Sequence, residues 1–373
     1  MSKSQLFIGL MSGTSADGVD AALIETTQDQ IKLIDFISTP LPSELKHALI
    51  QLNTNTQIEL QTLCLLQKEV ADVFSKSTLE LLQNNRLNHA DVCAIGSHGQ
   101  TIYHAPEIPM SIQIGHPAFI AKSTGITTVA DFRIDDMALG GQGAPFAPAF
   151  HKRMFSGVTE QFVVNIGGIA NISYLNATSK QDAPIGWDTG PGNALMDDIC
   201  QTEFNSPYDE NGSYARQGSI HKTLLKHLLS HPYLQLSAPK STGRDTFHAS
   251  WVRQLINEHS LEVNQYDLLA TVCELTAISI SQQINSIPTN AQQKTAVWIV
   301  GGGAHNDYLL ERLQFHLANH LVKSSKALNI DPDAIEAMMF AWLAQQRLQN
   351  HTIALAAVTG ATRDGVLGGI WHP

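Results

Sequence analysis

The sequence has few cysteines, no paired cysteine motif and no long apolar run. Its four cysteines are far apart and lack CxxC spacing, which argues against a disulfide framework and predicts buried, reduced thiols at Cys64, Cys93, Cys200 and Cys273. No apolar run approaches the roughly 20 residues of a membrane span, and the N-terminal LFIGLM is shorter than a signal-peptide core. We therefore expect a cytoplasmic protein that does not enter a membrane.

Positive charge is also scarce. The chain has 23 Lys and Arg against 34 Asp and Glu, a net charge of −11, and no basic block that could follow a phosphate backbone. Nucleic acid and anionic membranes are therefore not expected partners. Although there are 16 histidines, His98 and His104 lack the i, i+4 spacing of a helical zinc pair, so structural zinc is not expected either.

What the sequence does contain is a globular composition of two-domain size. With 373 residues, 43% hydrophobic and 15% charged, the chain is long enough for two domains of roughly 150 residues each. We predict an N-terminal lobe over residues 1–150 and a C-terminal lobe over residues 151–345. The remaining segment, residues 346–373, is expected to pack back on the first lobe.

Short apolar runs predict strands in a similar order in both halves. QLFIGLM, VDAALIET and IKLIDFIST predict three antiparallel strands, and helical spacing from Ile58 to Leu82 predicts a long helix. After Phe155 the pattern restarts, because QFVVNIGGIANISYL at Gln161–Leu175 also indicates a strand, a glycine turn and a strand. This repeat predicts an α/β fold of two ribonuclease-H-like, actin-like lobes, with mixed sheets flanked by helices and a cleft between the lobes.

The loop between the first two predicted strands, in GLMSGTSADGVDAAL, is longer and more polar than a tight hairpin requires. Its glycine-rich backbone and the hydroxyls of Ser12, Thr14 and Ser15 suit a phosphate. Asp17 and Asp20 would repel a bare phosphate, but they fit a nucleotide that arrives with Mg²⁺. The alternative is a polar hairpin with Asx and Ser turns. The chain has no GK[ST] sequence, so the loop is not a P-loop.

Two further glycine segments are candidates for nucleotide binding. NIGGIAN, with Gly167 and Gly168, would allow close approach of the backbone in a second hairpin. GGGAHND, at Gly301–Asp307, could seat an adenosine against backbone that carries no side chains. Each segment alone is also a common turn at a strand end.

Asp188, in GWDTGPGNALMD, is the candidate catalytic residue. We expect it at the end of a strand, before a turn and a helix that begins near Asn193. A carboxylate in that place is a candidate general base. The alternative is a helix N-cap, a role that Asn193 suits better because it lies nearer the helix.

Together these motifs resemble the anhydro-N-acetylmuramic acid kinase family, within the sugar kinase, actin and heat-shock chaperone superfamily. The resemblance runs from about residue 8 to about residue 369, through MSGTSADGVD, GSHGQTIYH, DFR, GGQGAP, NIGGIANIS, WDTGPGN and EAMMFAWLA. It implies an ATP- and Mg²⁺-dependent enzyme that opens 1,6-anhydro-N-acetylmuramic acid with water and phosphorylates O6, in peptidoglycan recycling. The resemblance also implies that Asp188 is the base, and homodimers occur in the family.

Under this interpretation the candidate nucleotide and metal residues fall in the three glycine segments. Asp17 and Asp20 are the candidate metal ligands. The candidate nucleotide-binding residues are Gly13, Thr14, Ser15, Ala16, Asp17, Gly18, Val19, Asp20, Asn165, Gly167, Gly168, Gly301, Gly302 and Gly303.

The lactyl carboxylate of the sugar suits an arginine fork. Arg133 in ADFRIDD, expected at a strand end, is the candidate, and surface ion pairs with Asp131, Asp135 and Asp136 are its alternative role. Further candidates for sugar contact, or for buried structural roles, are His98, Gln100 and Glu336.

Two other functions remain open from the sequence. One is a kinase of another amino sugar, in which Asp188 activates a hydroxyl directly without ring hydrolysis. The other is a nucleotide-switched, actin-like binding protein, because a fold of this kind hosts unrelated functions.

Overall fold

The computed structural model describes residues 4–13, 15–27, 30–54, 57–155, 159–176, 185–238, 240–243, 246–289 and 294–373. The strands are β1 (Gln5–Ser12), β2 (Gly18–Thr26), β3 (Ile31–Pro40), β4 (Val92–Ala105), β5 (Met110–Ile114), β6 (Thr128–Ala130), β7 (Gln161–Ile166), β8 (Ile169–Leu175), β9 (Ile185–Pro191), β10 (Thr295–Val300), β11 (His320–Ser324) and β12 (Gly369–Trp371). The α-helices are α1 (Ser43–Thr54), α2 (Leu60–Asn84), α3 (Pro117–Thr124), α4 (Phe132–Ala138), α5 (Ala147–Phe155), α6 (Ala194–Phe204), α7 (Lys222–Leu229), α8 (Ala249–Glu258), α9 (Gln265–Asn285), α10 (Asp307–His316), α11 (Ile335–Leu348) and α12 (Ala356–Thr359).

The chain divides into two compact units. Unit 1 comprises Met1–Phe150 together with Ala334–Pro373, and unit 2 comprises His151–Asp333. Each unit contains one mixed sheet and the helices that flank it.

The sheet of unit 1 starts with the three antiparallel strands that the sequence predicts. β1 pairs with β2 and β2 with β3, after which β4 joins β1 and β6 joins β4, both in parallel. The order is β12-β6-β4-β1-β2-β3, and β5 pairs with the second half of β4. Ile8 of β1 and Leu23 of β2 pack with Phe74 of α2 in one buried cluster. The apolar residues that alternate along the strands and those that follow helical spacing in α2 therefore face the same core.

The sheet of unit 2 repeats this topology. β7, β8 and β9 are antiparallel neighbours, and β10 and β11 follow in parallel on the other side of β7, in the order β11-β10-β7-β8-β9. The prediction of one hairpin unit used twice is therefore confirmed. Two mixed sheets of this topology also confirm the predicted α/β, ribonuclease-H-like class.

Helix α11 packs on the sheet of unit 1 because two glycines leave room for its backbone. Gly9 and Gly96 are partners in the register between β1 and β4. A Cβ at Gly9 would collide with the carbonyl oxygen of Ala337, and one at Gly96 with that of Phe340. The helix therefore belongs to unit 1, so unit 2 ends at Asp333 and not at the predicted boundary of residue 345. The C-terminal segment lies in the same unit, where β12 pairs with β6.

Two local predictions differ from the structure. The strand expected over ITTVADFR is only three residues long, since Asp131 adopts a left-handed conformation with φ 64° and α4 begins at the next residue. Cys64 is exposed on α2, whereas Cys200 and Cys273 are buried as expected.

Among the residues with described positions, no helix is long and apolar enough to span a membrane.

Candidate active site

The loop between β7 and β8, which contains Gly167 and Gly168, is hydrogen-bonded to the turn before α6. The backbone N–H of Asn193 donates to the carbonyl oxygen of Gly167 at 2.7 Å, and that of Gly192 donates to Gly168 at 3.1 Å. The side-chain amide of Asn193 adds a hydrogen bond to the carbonyl oxygen of Ile166 at 2.9 Å. NIGG and PGN, far apart in sequence, therefore form one rigid turn cluster.

The third glycine segment joins the same cluster. Gly301 has φ 75°, which favours glycine, and a Cβ there would collide with Oδ1 of Asn165. A Cβ at Gly303 would collide with the side chain of Ile166, and one at Gly302 would lie 3.2 Å from Nδ2 of Asn193. The structure thus brings together every candidate nucleotide residue of unit 2.

A cavity of about 510 Å³ opens beside Asn193 and Gly302. Sequence reasoning missed one part of its wall, because Tyr208–Asn211 lie in a connection with no motif of their own. The lining residues are Asn193, Met196, Asp197, Tyr208, Asp209, Glu210, Asn211, Gly302, His305, Asn306 and Asp333. Four of these are acidic, so the wall favours ligand groups that donate hydrogen bonds, such as hydroxyls and amines.

His305 is held on this wall between two charged groups. Lys326 Nζ lies 3.0 Å from its Nδ1 and Asp333 Oδ2 lies 2.7 Å from its Nε2. Because an ammonium group can only donate, Nδ1 is the acceptor and the Nε2 proton is directed to Asp333. The ring orientation at the cavity edge is therefore fixed.

Asp188 lies inside β9, three residues before its last residue, and not at the strand end as expected. Its Oδ2 accepts hydrogen bonds from Ser241 Oγ at 2.9 Å and from the N–H of Thr242 at 3.0 Å. Burial raises the pKa of the carboxyl group, while the bonds from Thr242 and Ser241 oppose the rise. The carboxylate accepts hydrogen bonds from Ser241 and Thr242 and not from the backbone amides of α6. The alternative role of Asp188 as the N-cap of that helix is therefore wrong.

The first hairpin loop of unit 1 is braced by Gln100. Its Oε1 accepts from Ser12 Oγ at 2.6 Å, and its Nε2 donates to the carbonyl oxygen of Gly13 at 3.0 Å. The side chains of Ala16 and Val19 are buried in the core, so only their backbone groups can face a ligand. Thr14 lies outside the described residues.

The two candidate metal ligands of this loop differ in environment. Asp17 is exposed and its Oδ1 lies 2.6 Å from Lys46 Nζ, whereas Asp20 is half-buried in β2, opposite Met11 and Ser38. Within the described part of the chain there is no cluster of three or more His, Cys, Asp or Glu residues that could hold a metal.

Arg133 lies in the first turn of α4 and not at a strand end. Its Nε donates to Nε2 of His98 at 2.9 Å, its Nη1 donates to the carbonyl oxygen of Gly143 at 2.7 Å, and the guanidinium lies 5.6 Å from the ring centre of Phe146. Burial lowers the pKa of Arg133, while the charges of Glu336 and Asp136 act to raise it.

The acids around Arg133 bind other groups. Asp135 accepts from the N–H of Gly368, and Asp136 accepts from the N–H of Gly143 and the hydroxyl of Thr359. The surface ion pairs considered from the sequence are therefore not the setting of Arg133. The structure instead groups Arg133, His98 and Glu336.

Comparison with known proteins gives consistent matches along the whole chain. A family model described as anhydro-N-acetylmuramic acid kinase matches residues 5–373. The chain is 50% identical over 370 residues to the anhydro-N-acetylmuramic acid kinase of Hydrogenovibrio crunogenus, covering 99% of both, and 44% identical over 377 residues to that of Saccharophagus degradans, covering 100% of both. A solved structure, the activator of 2-hydroxyisocaproyl-CoA dehydratase from Clostridium difficile with bound ADPNP, has a TM-score of 0.47 at 12% identity, covering 92% of this chain and 96% of that one.

Proposed function

The chain belongs to the anhydro-N-acetylmuramic acid kinase family, and we propose that it is an ATP-dependent kinase that opens 1,6-anhydro-N-acetylmuramic acid and phosphorylates O6. The product is N-acetylmuramic acid 6-phosphate, an intermediate of peptidoglycan recycling. Asp188 carries the proposal, because it is a partly buried carboxylate whose pKa is raised by burial. A raised pKa makes a carboxylate a stronger base.

In the proposed reaction Asp188 takes a proton from water as the water oxygen bonds to C1 of the sugar. The C1–O6 bond breaks and its electron pair remains on O6. O6 then bonds to the γ-phosphorus of ATP, and ADP leaves. Glycosidases normally need a second carboxyl group to protonate the leaving oxygen. Here the phosphoryl group takes the place of that proton, so a single carboxylate is sufficient.

The glycine cluster and cavity of unit 2 support a nucleotide seat. Backbone N–H groups in glycine turns such as Gly301–Gly303 bind anions. At Gly167 a Cβ would meet no atom nearer than 3.8 Å, so the backbone there allows close approach of a phosphate. A cavity of about 510 Å³ lies in the size range of small-molecule sites. Its acidic wall suits the ribose hydroxyls and the amino group of adenine. We assign the nucleoside of ATP to this cavity.

Asp17 and Asp20 fit the Mg²⁺ that accompanies ATP. The ion is commonly held by one or two carboxylates together with phosphates and water, so a larger acidic cluster is not required. Asp17 is exposed and its carboxylate already meets a cation, the ammonium group of Lys46. When bound, Mg²⁺ neutralises charge that develops on the transferred phosphoryl group.

Arg133 is proposed to bind the lactyl carboxylate. Its bonds to His98 and Gly143 use Nε and one hydrogen of Nη1, which leaves donors on Nη1 and Nη2 for a ligand. Two such donors can hold a carboxylate in a fork. Glu336 lies close enough for its charge to act on Arg133, and it is proposed to contact the same sugar.

Turnover in H₂¹⁸O tests the reaction. The hydrolytic route places ¹⁸O at C1 of the phosphorylated product, sampled early, before the anomeric oxygen exchanges with solvent. A kinase that merely activates a sugar hydroxyl leaves C1 unlabelled. ATP turnover that does not depend on sugar would instead favour a nucleotide-switched binding protein. N-acetylmuramic acid, already open, is the matched control and should not be phosphorylated at a comparable rate.

A further inference from the structure

We propose that residues 240–242 form a clamp on Asp188 that leaves Oδ1 as the oxygen that accepts the proton, with Ser241 as the positioning residue. The inference rests on the proposed role of Asp188 as base and deepens it. The clamp lies in the connection between α7 and α8, more than 50 residues after Asp188 in the sequence.

The clamp first holds the main chain of Asp188. Its N–H donates to the carbonyl oxygen of Lys240 at 3.0 Å, and its carbonyl oxygen accepts from the hydroxyl of Tyr233 at 2.8 Å. Both backbone groups of the residue are thus bound by the same connection. The Cα–Cβ bond of Asp188 consequently has a fixed direction.

The clamp then holds one side of the carboxylate. Ser241 Oγ and the N–H of Thr242 both donate to Oδ2, and no described residue donates to Oδ1. Two donors on one oxygen fix the rotation of the carboxylate plane. They also stabilise negative charge on Oδ2, so Oδ1 is the better site for an incoming proton.

Lys240 also joins the clamp to Tyr233. Its Nζ donates to the carbonyl oxygen of Tyr233 at 3.2 Å and lies 4.7 Å from the centre of the Tyr233 ring. Tyr233 is itself buried. A buried tyrosine and a partly buried lysine therefore brace a segment that would otherwise be a simple surface loop.

Ser241→Ala tests the clamp, because it removes one donor from Oδ2 and leaves the backbone donor of Thr242. The carboxyl pKa of Asp188 is read by ¹³C NMR titration, with its signal identified by its loss in Asp188→Asn. Burial raises this pKa, and the two hydrogen bonds to Oδ2 lower it. With the bond from Ser241 removed, the pKa should rise by about one unit. The acid limb of kcat against pH should move by the same amount.

Two further variants separate positioning from a general structural effect. Ser241→Thr keeps a hydroxyl and should restore both the NMR titration and the kcat profile. Ser230→Ala is the matched control, because Ser230 lies in the same connection and its hydroxyl donates to the carbonyl oxygen of His227, not to Asp188. In this variant the carboxyl group of Asp188 should have the same pKa as in the parent protein.

The results distinguish failure of the clamp from failure of the proposed reaction. An unchanged Asp188 titration in Ser241→Ala, or no recovery in Ser241→Thr, overturns the clamp. Normal turnover by Asp188→Asn overturns the base assignment, whatever the titration shows. A shifted titration with an unmoved kcat profile overturns the claim that the clamp serves the reaction.

Discussion

The guanidinium of Arg133 donates from Nε to Nε2 of His98 across 2.9 Å, so the histidine acts as an acceptor and is neutral. Burial and the charge of Arg133 hold the pKa of His98 well below its usual value, which keeps the ring in this form. The ring also packs on Phe340, with ring centres 4.8 Å apart. A neutral, packed histidine therefore orients Arg133 without neutralising its charge.

Arg133→Ala should raise KM for the anhydro sugar far more than KM for ATP. Loss of a charged hydrogen bond to a carboxylate costs about 1.5–3 kcal/mol, which corresponds to roughly a 10- to 150-fold change in affinity. Steady-state kinetics with each substrate varied in turn measures the effect. An analogue without the lactyl carboxylate should be insensitive to the substitution.

The matched control is Arg363→Ala, which removes an exposed arginine of the same unit. It should change neither constant. If Arg133→Ala impairs both sugars equally, the arginine does not bind the lactyl group.

Asp188→Asn should lower kcat by roughly 10²- to 10⁴-fold, because the amide keeps the size of the carboxylate but cannot accept the proton. Nucleotide binding, followed by calorimetry, should be retained. Ring opening and phosphate transfer should disappear together, since O6 becomes a nucleophile only as its bond to C1 breaks. A residual rate within about tenfold of normal, a barrier change of only about 1.4 kcal/mol, would exclude Asp188 as the base.

The acid side of the parent pH profile follows from the same residue. Burial raises the pKa of Asp188, so the active, ionised form is lost at a pH above the ordinary aspartate value of about 3.9. We expect kcat to fall as pH decreases through that raised pKa. A profile that stays flat down to the ordinary value would contradict the burial effect.

Gly167→Ala and Gly303→Ala should separate ligand contact from packing. A Cβ at Gly167 would meet its nearest atom, the carbonyl oxygen of Ile169, at 3.8 Å, so the fold should tolerate it. If the loop holds phosphate, the new methyl group should raise KM for ATP by about tenfold, near 1.4 kcal/mol. Gly303→Ala collides with Ile166 and should also lower the free energy of unfolding by about 1–3 kcal/mol. Normal ATP kinetics in Gly167→Ala would remove this loop from the nucleotide site.

Asp17→Asn should raise the Mg²⁺ concentration needed for half-maximal activity. The side chains of Asp17 and Lys46 are 71% and 37% exposed, so loss of their ion pair should cost under about 1 kcal/mol of stability. Lys46→Ala is the matched control, since it breaks the same pair but keeps the carboxylate. If Lys46→Ala disturbs Mg²⁺ use as much as Asp17→Asn does, the ion pair and not the carboxylate is what matters.

The sequence predicts the elements whose signals are local. Alternating apolar residues and glycine breaks identify β1, β2, β7 and β8, and the repeat between them indicates the duplicated topology. The partner of α11 could not be predicted, because its contact with Gly9 joins residues at opposite ends of the chain and depends on the absence of a Cβ.

The residues of the candidate site likewise divide into those that the sequence identifies and those that only the fold brings into place. The glycine turns and Asp188 stand out because their residue types are chemically distinctive. Ser241 and Thr242 belong to a polar connection that resembles any surface loop, and only the fold brings them to Asp188. Tyr208–Asn211 likewise become cavity wall through tertiary placement alone.

Glu274 is a buried carboxylate of α9 that binds α10. Its oxygens accept from Arg312 Nε and Nη2 at 2.7 and 2.8 Å and lie 2.7 Å from His316 Nε2. Burial alone would raise the pKa of Glu274, but the bonds and charges of Arg312 and His316 outweigh it and lower the pKa. The folded protein therefore prefers the ionised form more than the unfolded chain does. The resulting stability is fully present above the pKa of Glu274 in the unfolded chain, about 4.3. It is lost as the pH falls through the lower pKa that Glu274 has in the folded protein.

Glu274→Gln should lower the free energy of unfolding by about 3 kcal/mol at pH 7, because it leaves Arg312 without its buried counter-charge. Urea unfolding at pH 7 and at progressively lower pH measures the difference. The gap between variant and parent should narrow as the parent protonates Glu274 in acid. Glu311→Gln is the matched control, since Glu311 pairs with Arg216 on the exposed side of α10, with side chains 58% and 46% exposed. That variant should match the parent closely at every pH, and an equal loss in both variants would show that burial of Glu274 adds nothing to its ion pair.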